Sequence, residues 1–202
     1  YGLHYIKNKL NLNPITFTYD WGMVTDLARR NIARVCGELG VENIIVSADI
    51  YAKRKNIRNN VLAWLKNPDL GIIPLFMAGD KQFFYYVNKI KRQTDIKLDF
   101  WMDNSLEETN FKTGFCNVKP DFSKDRIDKL FLKQKLDLFS YYAKNYFLNI
   151  RYFNSSLWDT IWAFHAYYFE PRNHCYLLFD YITWDEKIIE STLFEKYNWE
   201  TS

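Results

Sequence analysis

An α/β fold, with a parallel sheet flanked by helices and a helical C-terminal lobe, is predicted by three features of this 202-residue sequence. Short β-branched and aromatic runs alternate with long amphipathic ones through Met102, the pattern of parallel strands joined by crossover helices. Val24, Leu27, Ala28, Ile32, Val35, Cys36 and Leu39 keep the i, i+3, i+4, i+7 spacing of a buried helix face. After Asp121 the strand signals stop and long helical patterns take over.

Gly2 to Leu10 puts Leu3, Ile6 and Leu10 on one helical face, and Asn11-Leu12-Asn13-Pro14 ends it. Ile15 to Tyr19 is β-branched and aromatic, hence a strand. A helix follows from Met23 to Leu39, with Gly40 as its C′ residue. Asn43 to Ser47 is a second strand. A basic helix runs from about Lys53 to Lys66 and stops at Asn67-Pro68. Its cluster of Lys53, Arg54, Lys55 and Arg58 reads as a solvated helix end, with an anion site as the alternative. Ala78 to Thr94 is helical, with Phe83, Phe84, Val87 and Ile90 inward, and Lys97 to Met102 is a third strand. Beyond it, helices are expected from Lys124 to about Leu148 and from Leu157 to Phe169. Ser156 and Asp159, then Thr183 and Glu186, have capping-box spacing. No second sheet is expected in this half.

Composition narrows the function. The net charge of +3 is dispersed along the chain, unlike the clustered basic face of a nucleic-acid binder. Cys36, Cys116 and Cys175 are odd in number and widely spaced, with no CxxC pair. They signal neither a zinc site nor a disulfide framework, and a reducing cytoplasm fits them best. No apolar run approaches the roughly 20 residues that span a bilayer. Aromatic residues make up 19% of the chain, which suits a thick core, an interface or a stacking groove.

Ligands of open parallel sheets bind at the carboxyl ends of the strands. That rule selects Thr18 to Gly22, Ser47 to Asp49, and Asp103 to Glu108, together with Met77 to Gln82 at a helix start. Each stretch also has a plain structural reading. Asp20 and Asp80 suit helix starts, Lys81 a solvated surface, and Glu107 and Glu108 a polar loop. No GxSxG, HExxH or glycine-rich phosphate loop is present. His4, His165 and His174 read as structural, and Cys116 as a small core residue.

Phe17 to Ile32 (FTYDWGMVTDLARRNI), NIIVSAD, PLFMAGDKQFF, DNSLEETNFKTGF and LLFDYITWDE together resemble the N-acetyl sugar amidotransferases over nearly the whole chain. These bacterial proteins of lipopolysaccharide and pseudaminic-acid biosynthesis belong to the PP-loop ATP pyrophosphatase (adenine nucleotide alpha hydrolase) superfamily. The resemblance implies a cytoplasmic, ATP- and Mg²⁺-dependent ligase that converts an acetamido group of a sugar to acetamidino. Its partners would be a glutaminase subunit and an ammonia-channelling protein. Residues 1–120 would be the nucleotide-binding α/β domain, and 121–202 a mostly helical lobe completing the substrate site. Tyr19, Asp20 and Trp21 would lie beside adenosine, Ser47 and Asp49 would flank the base or ribose, and Lys81 would meet phosphate. Asn104, Glu107 and Lys112 would face the sugar or pyrophosphate. No metal ligand is assigned: the family's paired cysteines are replaced by the stretch Leu75-Phe76-Met77-Ala78. The SGGxDS phosphate loop would lie just before Tyr1, so the chain alone is expected to be inactive. Alternatives are another PP-loop ligase, asparagine-synthetase-like or tRNA-thiolating, and a non-catalytic binding or assembly module.

Overall fold

The computed structural model describes residues 1–77, 81–103, 114–116, 118, 130–171 and 174–201. It is mixed α/β, and its strands pair in parallel. The chain forms two compact units from interleaved segments. Unit 1 takes Tyr1–Ser47, Lys97–Glu108 and Arg172–Ser202; unit 2 takes Ala48–Ile96 and Thr109–Pro171. The boundary expected near residue 120 lies outside the described residues.

In unit 1, α1 (Gly2–Asn8) leads to β1 (Thr16–Asp20), α2 (Asp26–Leu39) and β2 (Asn43–Ser47). The face predicted for α2 is turned inward, with Val35 and Cys36 buried. Thr25 caps its start by accepting from the Ala28 N–H, and Gly40 ends it at φ 59°, a conformation glycine adopts without a Cβ penalty. β1 and β2 pair in register from Thr16↔Asn43 to Asp20↔Ser47. The Thr16 and Thr18 hydroxyls both donate to the Asn43 side-chain oxygen, at 3.0 and 3.2 Å, which fixes that register from one face.

The third predicted strand, β3 (Asp99–Trp101), does not extend the first pair. Its partner is β4 (Cys175–Leu177), a strand the sequence reading missed, so the described residues form two two-stranded parallel sheets in place of one. Three residues are too few to show alternation, and β4 hides among aromatic neighbours that read equally well as helix. A 3₁₀ turn (Leu178–Asp180) follows β4 and leads towards the last helix of unit 1.

Unit 2 is helical: α3 (Ile50–Trp64), α4 (Pro74–Met77), α5 (Gln82–Thr94), α6 (Leu132–Leu148), a 3₁₀ turn (Ile150–Tyr152) and α7 (Ser156–Tyr168). Two apolar clusters form its core. Ala63, Ile72, Met77, Tyr146 and Tyr152 make one, and Cys116, Val118, Leu138 and Tyr168 the other. Tyr141 and Tyr142 pack against both. Cys116 is therefore the core residue its surroundings suggested, its thiol 3.7 Å from the Gly71 carbonyl.

Unit 1 closes with α8 (Glu186–Tyr197). Neither predicted capping box forms. The cap of α8 is Asp185, which accepts from the Ile188 N–H at 3.1 Å. At α7 the cap position falls on Ser155, and Asp159 is drawn away to a buried lysine. No helix among the described residues is long and apolar enough to cross a membrane.

Candidate functional site

The carboxyl ends of β1 and β2 bring Tyr19, Asp20, Trp21 and Ser47 together in unit 1. Asp20 and Ser47 are register partners, and Tyr19 stands opposite Val46. Tyr19 and Asp20 are buried, Trp21 is half-buried and Ser47 is exposed. The chain leaves β1 through Gly22 at φ 93°, where an L side chain would be strained. Asp20 Oδ1 accepts the Gly22 N–H at 3.0 Å, an Asx-type closure of the turn. Its other oxygen lies against the Arg29 guanidinium as an ion pair, without a directed hydrogen bond. Arg29, in the first turns of α2, was not singled out from the sequence. Its signal was only its place nine residues after a strand-end aspartate.

Asp49 and Lys81 belong to unit 2. Asp49 caps α3, accepting from the Ala52 N–H at 3.0 Å. Lys81 lines a cavity of about 560 Å³ shared with Leu136, Phe139, Phe147, Thr160 and Phe164, and its Nζ lies 3.3 Å from the centre of the Tyr167 ring. That arrangement is a cation–π contact. Asn104, Glu107 and Lys112 lie outside the described residues, as does Asp80.

The basic cluster of α3 is split by burial. Arg54, Lys55 and Arg58 are exposed, whereas Lys53 is only 5% exposed. Lys53 donates to Asp159 and to Gln82 Oε1, and Gln82 Nε2 donates to the other Asp159 oxygen at 2.7 Å. Further along α3, Asn56 accepts from the Ser155 hydroxyl, and Asn60 joins Ser156 and Asn154. Lys53, Asn56, Asn60 and Ala63 thus form one buried, mostly polar stripe. Their helical spacing was the available signal, but periodicity is usually read on apolar residues. Lys53 corrects the reading of this cluster as a solvated end, because a cation so enclosed needs a paired, hydrogen-bonded carboxylate.

Among the described residues no group of three His, Cys, Asp or Glu could hold a metal ion, and the Asp20 carboxylate is turned inward. The accessible groups at the β1–β2 tip are the half-buried Trp21 and the exposed Ser47. Comparison of the chain with protein-family models, curated proteins and solved structures finds no match.

Proposed function

We propose that this chain is the nucleotide-binding part of an ATP-dependent amidotransferase that converts the acetamido group of a surface-polysaccharide sugar to acetamidino. The observation that carries this reading is the tip of the β1–β2 pair, where Asp20 and Ser47 stand side by side and a glycine turn leads into α2. In parallel α/β proteins ligands gather at this end of the strands. One of the two most specific resembling blocks, Phe17 to Ile32, covers that tip: strand, turn and the start of α2.

The chemistry explains the need for a nucleotide. An amide oxygen is a poor leaving group, so its transfer to the α-phosphorus of ATP, with loss of pyrophosphate, turns it into AMP. Ammonia then adds to the activated carbon, AMP departs, and a proton is lost to give the acetamidino product. In this scheme Tyr19, Trp21 and Ser47 contribute the adenosine wall. These 202 residues contain no phosphate loop, so one would have to be supplied from outside them, and Asn104, Glu107 and Lys112 would face the sugar. The fold would be that of the PP-loop superfamily, working with a glutaminase and an ammonia channel in the bacterial cytoplasm.

Incubating the protein carrying that loop with ATP, Mg²⁺, ammonia and candidate N-acetyl sugars tests the reading by mass spectrometry. A product lighter by the difference between O and NH, formed together with AMP, supports it. Unchanged sugars across the panel overturn it.

A second reading, a binding or assembly module, is favoured by a different observation. Phe147, Leu148, Ile150 and Trp158 in unit 2 are each at least 65% exposed, and exposed apolar groups of this kind suit a surface that a partner covers.

A further inference from the structure

We infer that Asp20 and Arg29 are a positioning pair: together they set the Trp21–Gly22 turn so that the Trp21 ring offers its face to the adenine. The inference rests on the amidotransferase reading and changes the role of Asp20 within it, from a group that touches the nucleotide to one that acts through the turn.

The Asp20 side chain is 2% accessible, and both of its oxygens are committed inside unit 1. Oδ1 holds the Gly22 N–H and Oδ2 faces Arg29. To reach a ligand, this carboxylate would have to give up the hydrogen bond that closes the turn and the Arg29 cation set against it, stranding a buried charge. Arg29 is 43% exposed, so its outer side remains in water while its inner side neutralises Asp20. What the tip leaves accessible is different in kind. The half-buried indole of Trp21 is a flat apolar surface on which a purine stacks. Beside it Ser47, the register partner of Asp20, exposes a hydroxyl. Positive φ at Gly22 fixes the direction in which the chain leaves the tip, and the Asp20 hydrogen bond fixes Gly22.

The test uses the 202-residue chain with AMP as the probe. Affinity is measured by calorimetry, and the Gly22 amide is followed by hydrogen exchange. Arg29→Gln is expected to weaken AMP binding about tenfold, equivalent to ~1.4 kcal/mol, and to speed exchange at Gly22. Arg29→Lys keeps the charge and should restore most of both. Asp20→Asn keeps an acceptor for Gly22 but loses the ion pair, and adding Arg29→Gln to it should cost little more, as expected of partners in one interaction. Trp21→Leu should lose AMP binding with Gly22 protection intact, a result that a purely structural role for Trp21 would not give. The pair is overturned if Arg29→Gln binds AMP like the wild type while Asp20→Asn does not, which would make Asp20 a direct contact. A wild-type chain that binds no AMP refutes the nucleotide reading instead. The pair is then judged on Gly22 alone, and unchanged protection in Arg29→Gln rejects it. Circular dichroism identifies any variant that has failed to fold, in which case Arg29→Lys and Trp21→Leu decide.

Discussion

Lys53 and Asp159 meet within unit 2 as members of a closed ring, with Gln82 accepting from the lysine and donating to the carboxylate. The ring ties α3, α5 and α7 to one another at a point where an apolar side chain would ordinarily do so. Every polar atom in it that faces inward has a partner there, which is what makes a buried charge tolerable.

Lys53→Met leaves Asp159 with Gln82 alone and should destabilise unit 2 by about 2–4 kcal/mol, towards the lower end of the range for breaking a buried pair because Asp159 keeps some solvent. Lys53→Met with Asp159→Leu removes both charges and should recover much of that loss. Urea unfolding followed by a unit 2 probe measures both, and equal midpoints for Lys53→Met and the wild type would contradict the account.

Gly71 lies against the ring of Tyr141. A Cβ there would sit 2.5 Å from the Tyr141 hydroxyl oxygen and 2.8 Å from ring carbons. That hydroxyl donates to Asp69, which also accepts the Gly71 N–H at 2.8 Å. Gly71→Ala must therefore push α6 away from the Asp69–Gly71 turn, at a cost of about 1–3 kcal/mol for overpacking. A thermal melt of the variant checks this. Burial, with the Asp69 contact second, also raises the Tyr141 pKa, so the ring should not ionise in the native state at moderately alkaline pH.

His4 is biased towards its neutral form. Asn8 Nδ2 lies 3.0 Å and the Tyr197 hydroxyl 2.5 Å from its Nδ1, an arrangement that the Nε2–H tautomer satisfies with Nδ1 as acceptor. Burial, and then the charge of Lys196, lower its pKa below the ordinary imidazole value. With the folded value below the unfolded one, unfolding takes up a proton in the interval between them. The contribution is complete above the unfolded pKa of about 6.5 and is lost as pH falls through it towards the folded value. Stability of unit 1 should therefore decline on acidification from neutral pH, and His4→Gln should flatten that limb. A stability profile across this interval with the same slope in both proteins would count against it.

The C-terminal stretch is clamped to α2. Glu200 accepts from Arg30 and Arg34, and Asn31 both donates to and accepts from the Glu200 backbone, at 2.9 and 3.0 Å. Hydrogen bonds from Arg30 first, then Arg34, pull the Glu200 pKa down to about 2. A lowered acid contributes fully above its unfolded pKa of about 4.3, and the contribution fades as pH drops from there towards the folded value. Glu200→Gln should loosen residues 198–201 at neutral pH. Hydrogen exchange in this stretch should then exceed the wild type at pH 7 and approach it as pH falls through about 2.

How much of this was legible depended on the length of each signal. α2 was readable because six apolar positions within it, with Val24 just ahead, keep one period, and its Gly40 stop is the residue type that αL geometry favours. β1 and β2 stood out through β-branched runs of five. β4 was not readable: three residues carry no alternation, and its pairing with β3 is decided by tertiary contact. At the candidate site the sequence located Tyr19, Asp20, Trp21 and Ser47 at the ends of β1 and β2, where the structure has them. It could not give the direction of the Asp20 carboxylate, which depends on an arginine one helix turn into α2. Lys53 was misjudged for a related reason, since a lysine's burial follows from a partner more than a hundred residues away.

The interleaving of the two units has a consequence for synthesis on the ribosome. β3 emerges with Asp99, yet the backbone it pairs with arrives only at Cys175. At roughly 5–20 residues per second, that edge of unit 1 stays open for several seconds while the second segment of unit 2 is made. A translational stall in this interval would expose an unmatched strand, the kind of edge that recruits neighbouring nascent chains. Polysome-bound intermediates of this protein are thus the stage at which a chaperone would matter most.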